Sequence, residues 1–121
     1  MLPSHDGLRL RIFVGEADRY DTRPLYEWIV TEAKAQGLAG ATVVRGLMGF
    51  GPHSRVIHTF KIERLAEDLP VIIELVDGPE KVEAFLAFIE QHVHSDLLAT
   101  TEPIQIRLPR GDAPTKSGTQ L

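Results

Sequence analysis

The sequence has no cysteine, one tryptophan and fewer basic than acidic side chains. The absence of cysteine excludes disulfide bonds, thiolate nucleophiles and cysteine-ligated zinc or iron-sulfur sites. Thirteen basic against seventeen acidic residues give a formal net charge of -4. That balance lacks the overall positive field of a dedicated nucleic-acid-binding protein, so we expect no nucleic-acid partner.

Long hydrophobic runs are also missing from the chain. No apolar run approaches the roughly 20 residues that cross a bilayer, and residues 1–7 have neither the basic nor the apolar part of a secretory signal. We therefore expect a cytoplasmic protein without direct membrane insertion. The length of 121 residues, with 43% hydrophobic and 25% charged residues, is typical of one globular domain.

The beginning of the chain predicts a strand and then a helix. Apolar and polar side chains alternate over residues 8–14, which is the period of a strand, and residues 1–7 are expected to be a flexible N-terminus. Apolar residues then recur at helical spacing over residues 24–36. Asp21 or Thr22 can supply the side-chain oxygen that caps the start of this helix.

The middle of the chain contains two further strands. Gly37 is the expected stop of the first helix, and a β-branched run predicts the second strand over residues 41–47. Residues 56–69 fit either an extended hairpin arm or an irregular loop. The almost continuous apolar run over residues 71–76 is too short for a helix and predicts a strand that is buried on both faces.

The last third predicts a second helix, a fourth strand and a tail. Asp77 with Glu80 resembles a capping box, and apolar residues recur at helical intervals as far as Val93. Alternation over residues 104–108 predicts the fourth strand. Residues 110–121 are small and polar and are expected to form a disordered tail, in which we attribute the Arg-Gly-Asp triplet to chance.

These elements predict a ferredoxin-like βαββαβ fold of the α+β class, in a domain over residues 8–109. Its four-stranded antiparallel sheet has the first and third strands in the middle and both helices on one face. Ile72 and Val76 then lie on the uncovered face. If these β-branched side chains stay exposed, a few kcal/mol of stabilisation from apolar burial is not gained and aggregation is promoted. We therefore predict self-association through this face.

Several segments, in a fixed order, resemble the uncharacterised PII-like proteins grouped as domain of unknown function 190. They cover roughly residues 8–108 and read Leu8-Arg-Leu-Arg-Ile-Phe-Val-Gly-Glu16, Pro24-Leu-Tyr-Glu27, Gly40-Ala-Thr-Val-Val-Arg-Gly46, Gly49-Phe-Gly51, His53-Ser-Arg55 and Asp68-Leu-Pro-Val-Ile-Ile-Glu-Leu-Val-Asp77. The resemblance implies a homotrimer, similar in plan to the PII nitrogen-signalling and CutA cation-tolerance proteins.

The resemblance also implies a ligand and a partner. In PII proteins an adenine nucleotide lies in the cleft between subunits, and the long loop after the second strand reaches a protein partner, for which a membrane transporter is one candidate here. Residues 48–64 occupy the equivalent place. The chain departs from the PII pattern before the fourth strand, because residues 96–101 contain no lysine.

The candidate ligand site is the glycine segment, residues 46–55, together with the arginine that precedes it. Its glycines can aim backbone amides at a small anion, and the arginines can donate to phosphate. Neither a P-loop nor a Rossmann fingerprint is present, so the alternative is that the glycines only permit a bend. The predicted ligand-binding residues are Arg45, Gly46, Gly49, Gly51, His53, Ser54 and Arg55.

Three further residues, His58, Lys61 and Arg64, are assigned to a partner-binding loop. The alternative function is a divalent-metal response of the CutA type through His53 and His58, although we assign no metal site and leave the cofactor unnamed. A structural interaction module is a third alternative. Since no Ser-His-Asp or nucleophile-elbow pattern occurs, we predict that the protein is not an enzyme.

The sequence also predicts structural roles for three carboxylates outside the glycine segment. Glu74 interrupts the apolar third strand, and a buried carboxylate needs a partner, for which Arg9, Arg11 or Arg45 is available. Glu16 and Asp18 follow the first strand, where a turn is favoured over a catalytic acid pair.

Overall fold

The computed structural model describes residues 3–52, 68–94 and 97–109. Its elements, in chain order, are β1 (Ser4–Gly15), β2 (Arg19–Tyr20), β3 (Arg23–Pro24), α1 (Leu25–Ala35), β4 (Gly40–Arg45), β5 (Pro70–Asp77), α2 (Pro79–His92) and β6 (Leu98–Arg107). Within these ranges, neither helix has the length and apolar character needed to cross a membrane.

The main sheet contains four antiparallel strands in the order β4-β5-β1-β6. The first and third strands of the predicted fold, β1 and β5, are therefore central, and both helices pack on the same face. This arrangement confirms the ferredoxin-like α+β fold. The two edge strands are β4 and β6. Because β1 and β5 are antiparallel neighbours, the turn after β1 lies beside the start of β5.

The helix-covered face carries the hydrophobic core. Alternate residues of β1 and β5 point to this face, as the period of two requires, and α1 and α2 supply the opposite wall. The core members are Leu10, Ile12, Val14, Leu25, Trp28, Ile29, Ala33, Val71, Ile73, Leu75, Val82, Phe85, Ile89 and Val93. Burial of these side chains is the main favourable contribution to folding.

Two strands are longer than the sequence predicts. β1 begins at Ser4 rather than at Leu8, because residues 4–7 pair with residues 104–107 of β6. β6 begins at Leu98 rather than at Ile104, because pairing with β1 extends through a stretch that lacks alternation. Pro103 is tolerated within β6 since an edge strand has one side without ladder hydrogen bonds.

The connection between β1 and α1 is a short hairpin rather than a helix cap. β2 and β3 pair around Asp21, which has a φ of 55°, so Asp21 and Thr22 form the turn of this hairpin. The N-cap of α1 is Pro24, without a side-chain cap. The hairpin brings the Tyr20 ring onto the Trp28 ring, with the centroids 3.9 Å apart, which closes the end of the core.

The ends of the helices also differ in part from the expectation. Gly37 has a φ of 81° and follows the C-cap Gln36, which confirms the predicted stop of α1. Asp77, however, does not form a capping box, because the N-cap of α2 is Gly78. The buried Asp77 carboxylate instead accepts hydrogen bonds from the amides of Gly78 and Ala39, at 2.6 and 2.9 Å, and so fastens the start of β4 to the end of β5.

The open face of the sheet, opposite the helices, has an ion-pair network at its centre. Glu74 lies 3.0 Å from Arg11 Nε and 3.7 Å from Arg9 Nε, and Glu102 lies 2.5 Å from Arg9 Nη2. The predicted pairing of Glu74 with Arg9 or Arg11 is therefore confirmed. The hydrogen bond from Arg9 lowers the pKa of the Glu102 carboxyl and raises that of the guanidinium.

Apolar side chains flank this network at both ends of the open face. Phe13 lies opposite Ile72 and Leu98 in the strand register, and Val44 lies opposite Ile72. At the other end, Ile104 and Ile106 continue the same face of β6, but only Ile104 is partly exposed there, because Ile106 is buried within the chain. Within the described residues, no helix covers this face, so its apolar rim and its paired charges are available to another protein surface.

Candidate anion-binding site at the neck of the glycine segment

The site is organised around the turn that follows β1. The Glu16 amide donates a hydrogen bond to the Leu69 carbonyl at 2.8 Å, and the Ala17 amide donates to Asp68 Oδ1 at 3.0 Å. This turn therefore holds the chain where it returns to the sheet before β5. We call the meeting point of residues 15–18, 45–46 and 68–70 the neck.

Asp18 gives the turn its shape. Its carboxylate accepts a hydrogen bond from the Gly15 amide at 2.9 Å, and its own amide donates to the Gly15 carbonyl at 3.1 Å. The Asp18 carbonyl accepts a further hydrogen bond from the Leu25 amide at 2.8 Å, which connects the turn to the start of α1. Asp18 is thus a turn-forming residue, as the sequence favours.

Arg45 is the last residue of β4 and reaches into the neck. Its Nη2 atom lies 2.6 Å from Glu16 Oε2, and its side chain is 62% exposed against 22% for Glu16. Arg45 does not contact Glu74, because it lies opposite Val71 in the register and therefore points to the other face of the sheet. Its exposed guanidinium retains donors that a ligand can reach.

Gly46 is required for close approach and not for an unusual backbone angle. Its amide donates to the Pro70 carbonyl at 2.6 Å, and a Cβ atom built on Gly46 lies 2.9 Å from Pro70 Cγ. Among the described glycines, only Gly37 has a positive φ. Gly49 is in ordinary contact with Pro70, and a Cβ atom on Gly51 meets nothing within 4 Å.

The residues beyond Gly46 leave polar and apolar groups available. The backbone amides of residues 47–51 donate no hydrogen bond to any other described residue. Leu47 and Phe50 are 82% and 70% exposed, and Met48 is also exposed. Unpaired amides can bind an anion, and exposed apolar side chains are typical of a contact surface for another protein.

The remaining predicted site residues lie outside the described part of the chain. They are the ligand residues His53, Ser54 and Arg55 and the partner-loop residues His58, Lys61 and Arg64. The metal-responsive alternative depends on His53 and His58 and is untested for the same reason. Among residues 3–52, 68–94 and 97–109, no group of three or more His, Asp or Glu side chains could hold a metal ion.

The sequence-based prediction missed Asp68 and the pairing of Glu16 with Arg45. These contacts join residues 51 and 29 positions apart, and no local spacing encodes them. The predicted topology was the available signal, since a central β1 beside β5 brings the turn after β1 next to residues 68–70. The neck is therefore a product of strand order and not of a motif.

The fold is that of the PII-like signalling proteins. It is similar to CPII from Thiomonas intermedia K12, whose structure is described as bound to ADP and bicarbonate, with a TM-score of 0.57 and 20% identity over 89% of this chain and 95% of CPII. It is also similar to a PII-like signalling protein from Thermus thermophilus, with a TM-score of 0.60 and 18% identity over 88% of this chain and 94% of that one.

The chain belongs to the DUF190 family, described as "Uncharacterized ACR", whose model matches residues 7–106. A relative from Aquifex aeolicus strain VF5, named UPF0166 protein, is 36% identical over 97 residues, which is 80% of this chain and 90% of that protein. The resemblance read from the sequence is therefore confirmed. Membership identifies the fold and the relatives, whereas the family description names no activity.

Proposed function

We propose that this protein is a non-enzymatic PII-like regulator that binds a small anionic effector at the neck. Support comes from one arrangement above all, in which the exposed Arg45 guanidinium lies directly before residues 47–51, whose backbone amides donate no hydrogen bond to any other residue in the described part of the chain. A guanidinium and adjacent amides are the donors that phosphate and carboxylate oxygens require. The assigned ligand residues Gly46, Gly49 and Gly51 lie within or beside this run.

An adenine nucleotide is the leading candidate for the effector. CPII has the same fold and is described as bound to ADP and bicarbonate, both of which are anions. Residues 96–101 of this chain lack the lysine expected of a PII nucleotide site. Recognition of phosphate here therefore depends on Arg45 and the amides, with Arg55 as a predicted second cation.

The proposal includes a homotrimer assembled through the open face of the sheet. The charges at the centre of that face are already paired with one another, so their burial leaves few unsatisfied groups. Phe13, Ile72 and Leu98 supply apolar area at one end of the face. Packing this face against other copies removes the exposed apolar surface and brings each neck near a subunit boundary.

The residues after β4 are proposed to contact a protein partner. Leu47, Met48 and Phe50 present exposed apolar side chains beside the ligand site, where a bound effector can alter the surface that a partner meets. The predicted partner residues His58, Lys61 and Arg64 follow in the same connection.

Calorimetric titration of ADP, ATP, AMP and bicarbonate into the purified protein tests the ligand site. At least one adenine nucleotide should bind, and Arg45→Gln should weaken that binding by at least about tenfold, because a charged hydrogen bond is lost. Arg23→Gln is the matched control, since Arg23 is also a partly exposed arginine paired with a glutamate, in this case Glu27. Absence of binding by all four anions, or equal affinities of the two variants, would contradict the proposal.

A further inference from the structure

Glu16 already occupies the guanidinium that the anion is proposed to use. Its Oε2 atom lies 2.6 Å from Arg45 Nη2, while its backbone amide is fixed to the Leu69 carbonyl at 2.8 Å. The carboxylate is therefore tethered within reach of Arg45 whether or not a ligand is present. A ligand that binds Arg45 has to compete with a covalently attached anion.

The neck contains two other carboxylates, and they are held differently. Asp18 accepts a hydrogen bond from the Gly15 amide and Asp68 accepts one from the Ala17 amide. Displacement of either would leave a backbone donor of the turn unpaired. Glu16 has only the exposed Arg45 guanidinium as its side-chain partner among the described residues, so it is the carboxylate that can be displaced at the loss of a single ion pair.

We propose that Glu16 is a specificity-determining residue that competes with the effector for Arg45 and restricts the neck to polyanions. The inference rests on the anion site proposed above and names its ligand class as a diphosphate, either free pyrophosphate or the diphosphate of a nucleotide. Glu16 acts on the ligand only through Arg45 and through its own negative charge.

The restriction follows from effective concentration and from the number of donors. A side chain tethered beside its partner competes at an effective concentration in the mM range. A simple monocarboxylate offers Arg45 nothing that Glu16 does not already supply, so it cannot displace Glu16 at lower concentrations. A diphosphate has further charged oxygens, which can accept hydrogen bonds from the amides of residues 47–51 while one phosphate engages Arg45, because these amides have no partner among the described residues.

Titration of pyrophosphate and acetate into the wild-type protein, Glu16→Gln and Glu27→Gln tests this assignment. Glu27→Gln is the matched control, because it removes one negative charge from an exposed arginine pair on α1. We expect pyrophosphate to bind the wild-type protein and Glu16→Gln to bind it about two- to fivefold more tightly, the range that an exposed ion pair supports. Acetate should bind the wild-type protein much more weakly than pyrophosphate, and Glu27→Gln should match the wild-type protein.

Each result separates the two proposals. If pyrophosphate binds through Arg45 but Glu16→Gln binds it no more tightly than Glu27→Gln, competition by Glu16 is wrong and the anion site stands. If Glu16→Gln binds pyrophosphate more weakly, Glu16 supports the site instead of opposing it. If pyrophosphate, the adenine nucleotides and bicarbonate all fail to bind, the anion site fails and the role of Glu16 fails with it.

A second measurement needs no ligand. Thermal unfolding of Glu16→Gln, Arg45→Gln and the double variant forms a double-mutant cycle. We expect the double variant to shift the midpoint by less than the two single shifts combined, because the second substitution removes a partner that is already lost. Strictly additive shifts would mean that Glu16 does not occupy Arg45 in the free protein and would overturn the proposal.

Discussion

The two faces of the sheet are built from the same strands but carry different side chains, apolar on one face and charged at the centre of the other. On β1, Leu10, Ile12 and Val14 are buried beneath the helices, whereas the alternate residues Arg9 and Arg11 pair with acidic side chains on the open face. The helix-covered face is completed within one chain. The open face combines neutralised charges with an apolar rim, so its energetics depend on what packs against it.

That difference separates stability from assembly. A core that is closed within the chain specifies the fold irrespective of any partner, because its apolar surface is already removed from water. An open face with paired charges can remain hydrated in a single chain and can also be buried, since its ions do not lose their partners. Substitutions on the two faces should consequently affect different measurements.

The largest difference is expected between neighbouring isoleucines of β5. Ile73 lies in the core and Ile72 lies on the open face. Ile73→Ala should lower the free energy of unfolding by about 2–5 kcal/mol, because it leaves a cavity. Ile72→Ala should have a smaller effect that grows with protein concentration, because its contribution requires association.

Denaturant unfolding at several protein concentrations measures both variants. Equal, concentration-independent losses for Ile72→Ala and Ile73→Ala would mean that both faces are closed within one chain. That result would remove the distinction between the two faces.

An intermediate effect is expected at the edge where β4 leaves the sheet. Gly46→Ala introduces a Cβ atom 2.9 Å from Pro70 Cγ, so the Pro70 ring or the backbone must shift, at a cost of about 1–3 kcal/mol. Gly51→Ala is the matched control, because the added atom meets nothing within 4 Å. Chemical denaturation of both variants measures the difference, and a Gly46→Ala variant as stable as Gly51→Ala would show that the close approach is not required.

The smallest effect is expected from the charges of the open face. Because Arg9 lowers the pKa of Glu102, the Glu102 carboxylate stabilises the folded state above its ordinary pKa of 4.5 and loses that contribution as the pH falls toward the lowered value. Glu102→Gln should therefore reduce the loss of stability at acid pH. The effect is small, since the pair is exposed to solvent.

Acid unfolding followed by circular dichroism compares Glu102→Gln with Glu90→Gln. Glu90 is exposed on α2 and has no ion pair among the described residues, so its substitution should leave the acid transition unchanged. Identical acid transitions for the two variants would contradict a stabilising role for the Arg9–Glu102 pair.

Local sequence patterns predicted those helices and strands in which buried and exposed side chains recur at a regular spacing. The alternation along β1 and the helical spacing in α2 both predicted the core side chains correctly, because apolar residues recur on the face that is buried. The sequence also predicted that Glu74 pairs with an arginine, since a carboxylate inside an apolar strand requires a cation nearby. Two of its three candidates, Arg9 and Arg11, are the partners, whereas the third, Arg45, is not.

Features that depend on pairing between distant segments could not be predicted in the same way. Residues 98–101 lack alternation and precede Pro103, yet β1 recruits them into β6. The neck joins three segments through Glu16, Arg45 and Asp68, and none of the three carries a local signature of that contact. At the neck, the sequence singled out Arg45 and Gly46 as candidate site residues but not the pairing of Arg45 with Glu16.

Assembly through the open face and ligand binding at the neck are both measured by native mass spectrometry of the wild-type protein at micromolar concentration, with and without ADP. We expect an assembly of three 13.5 kDa chains, near 40 kDa, that binds up to one ADP per chain. A single-chain mass of 13.5 kDa at every concentration, with no bound ADP, would contradict both the closure of the open face by other copies and the ligand site at the neck.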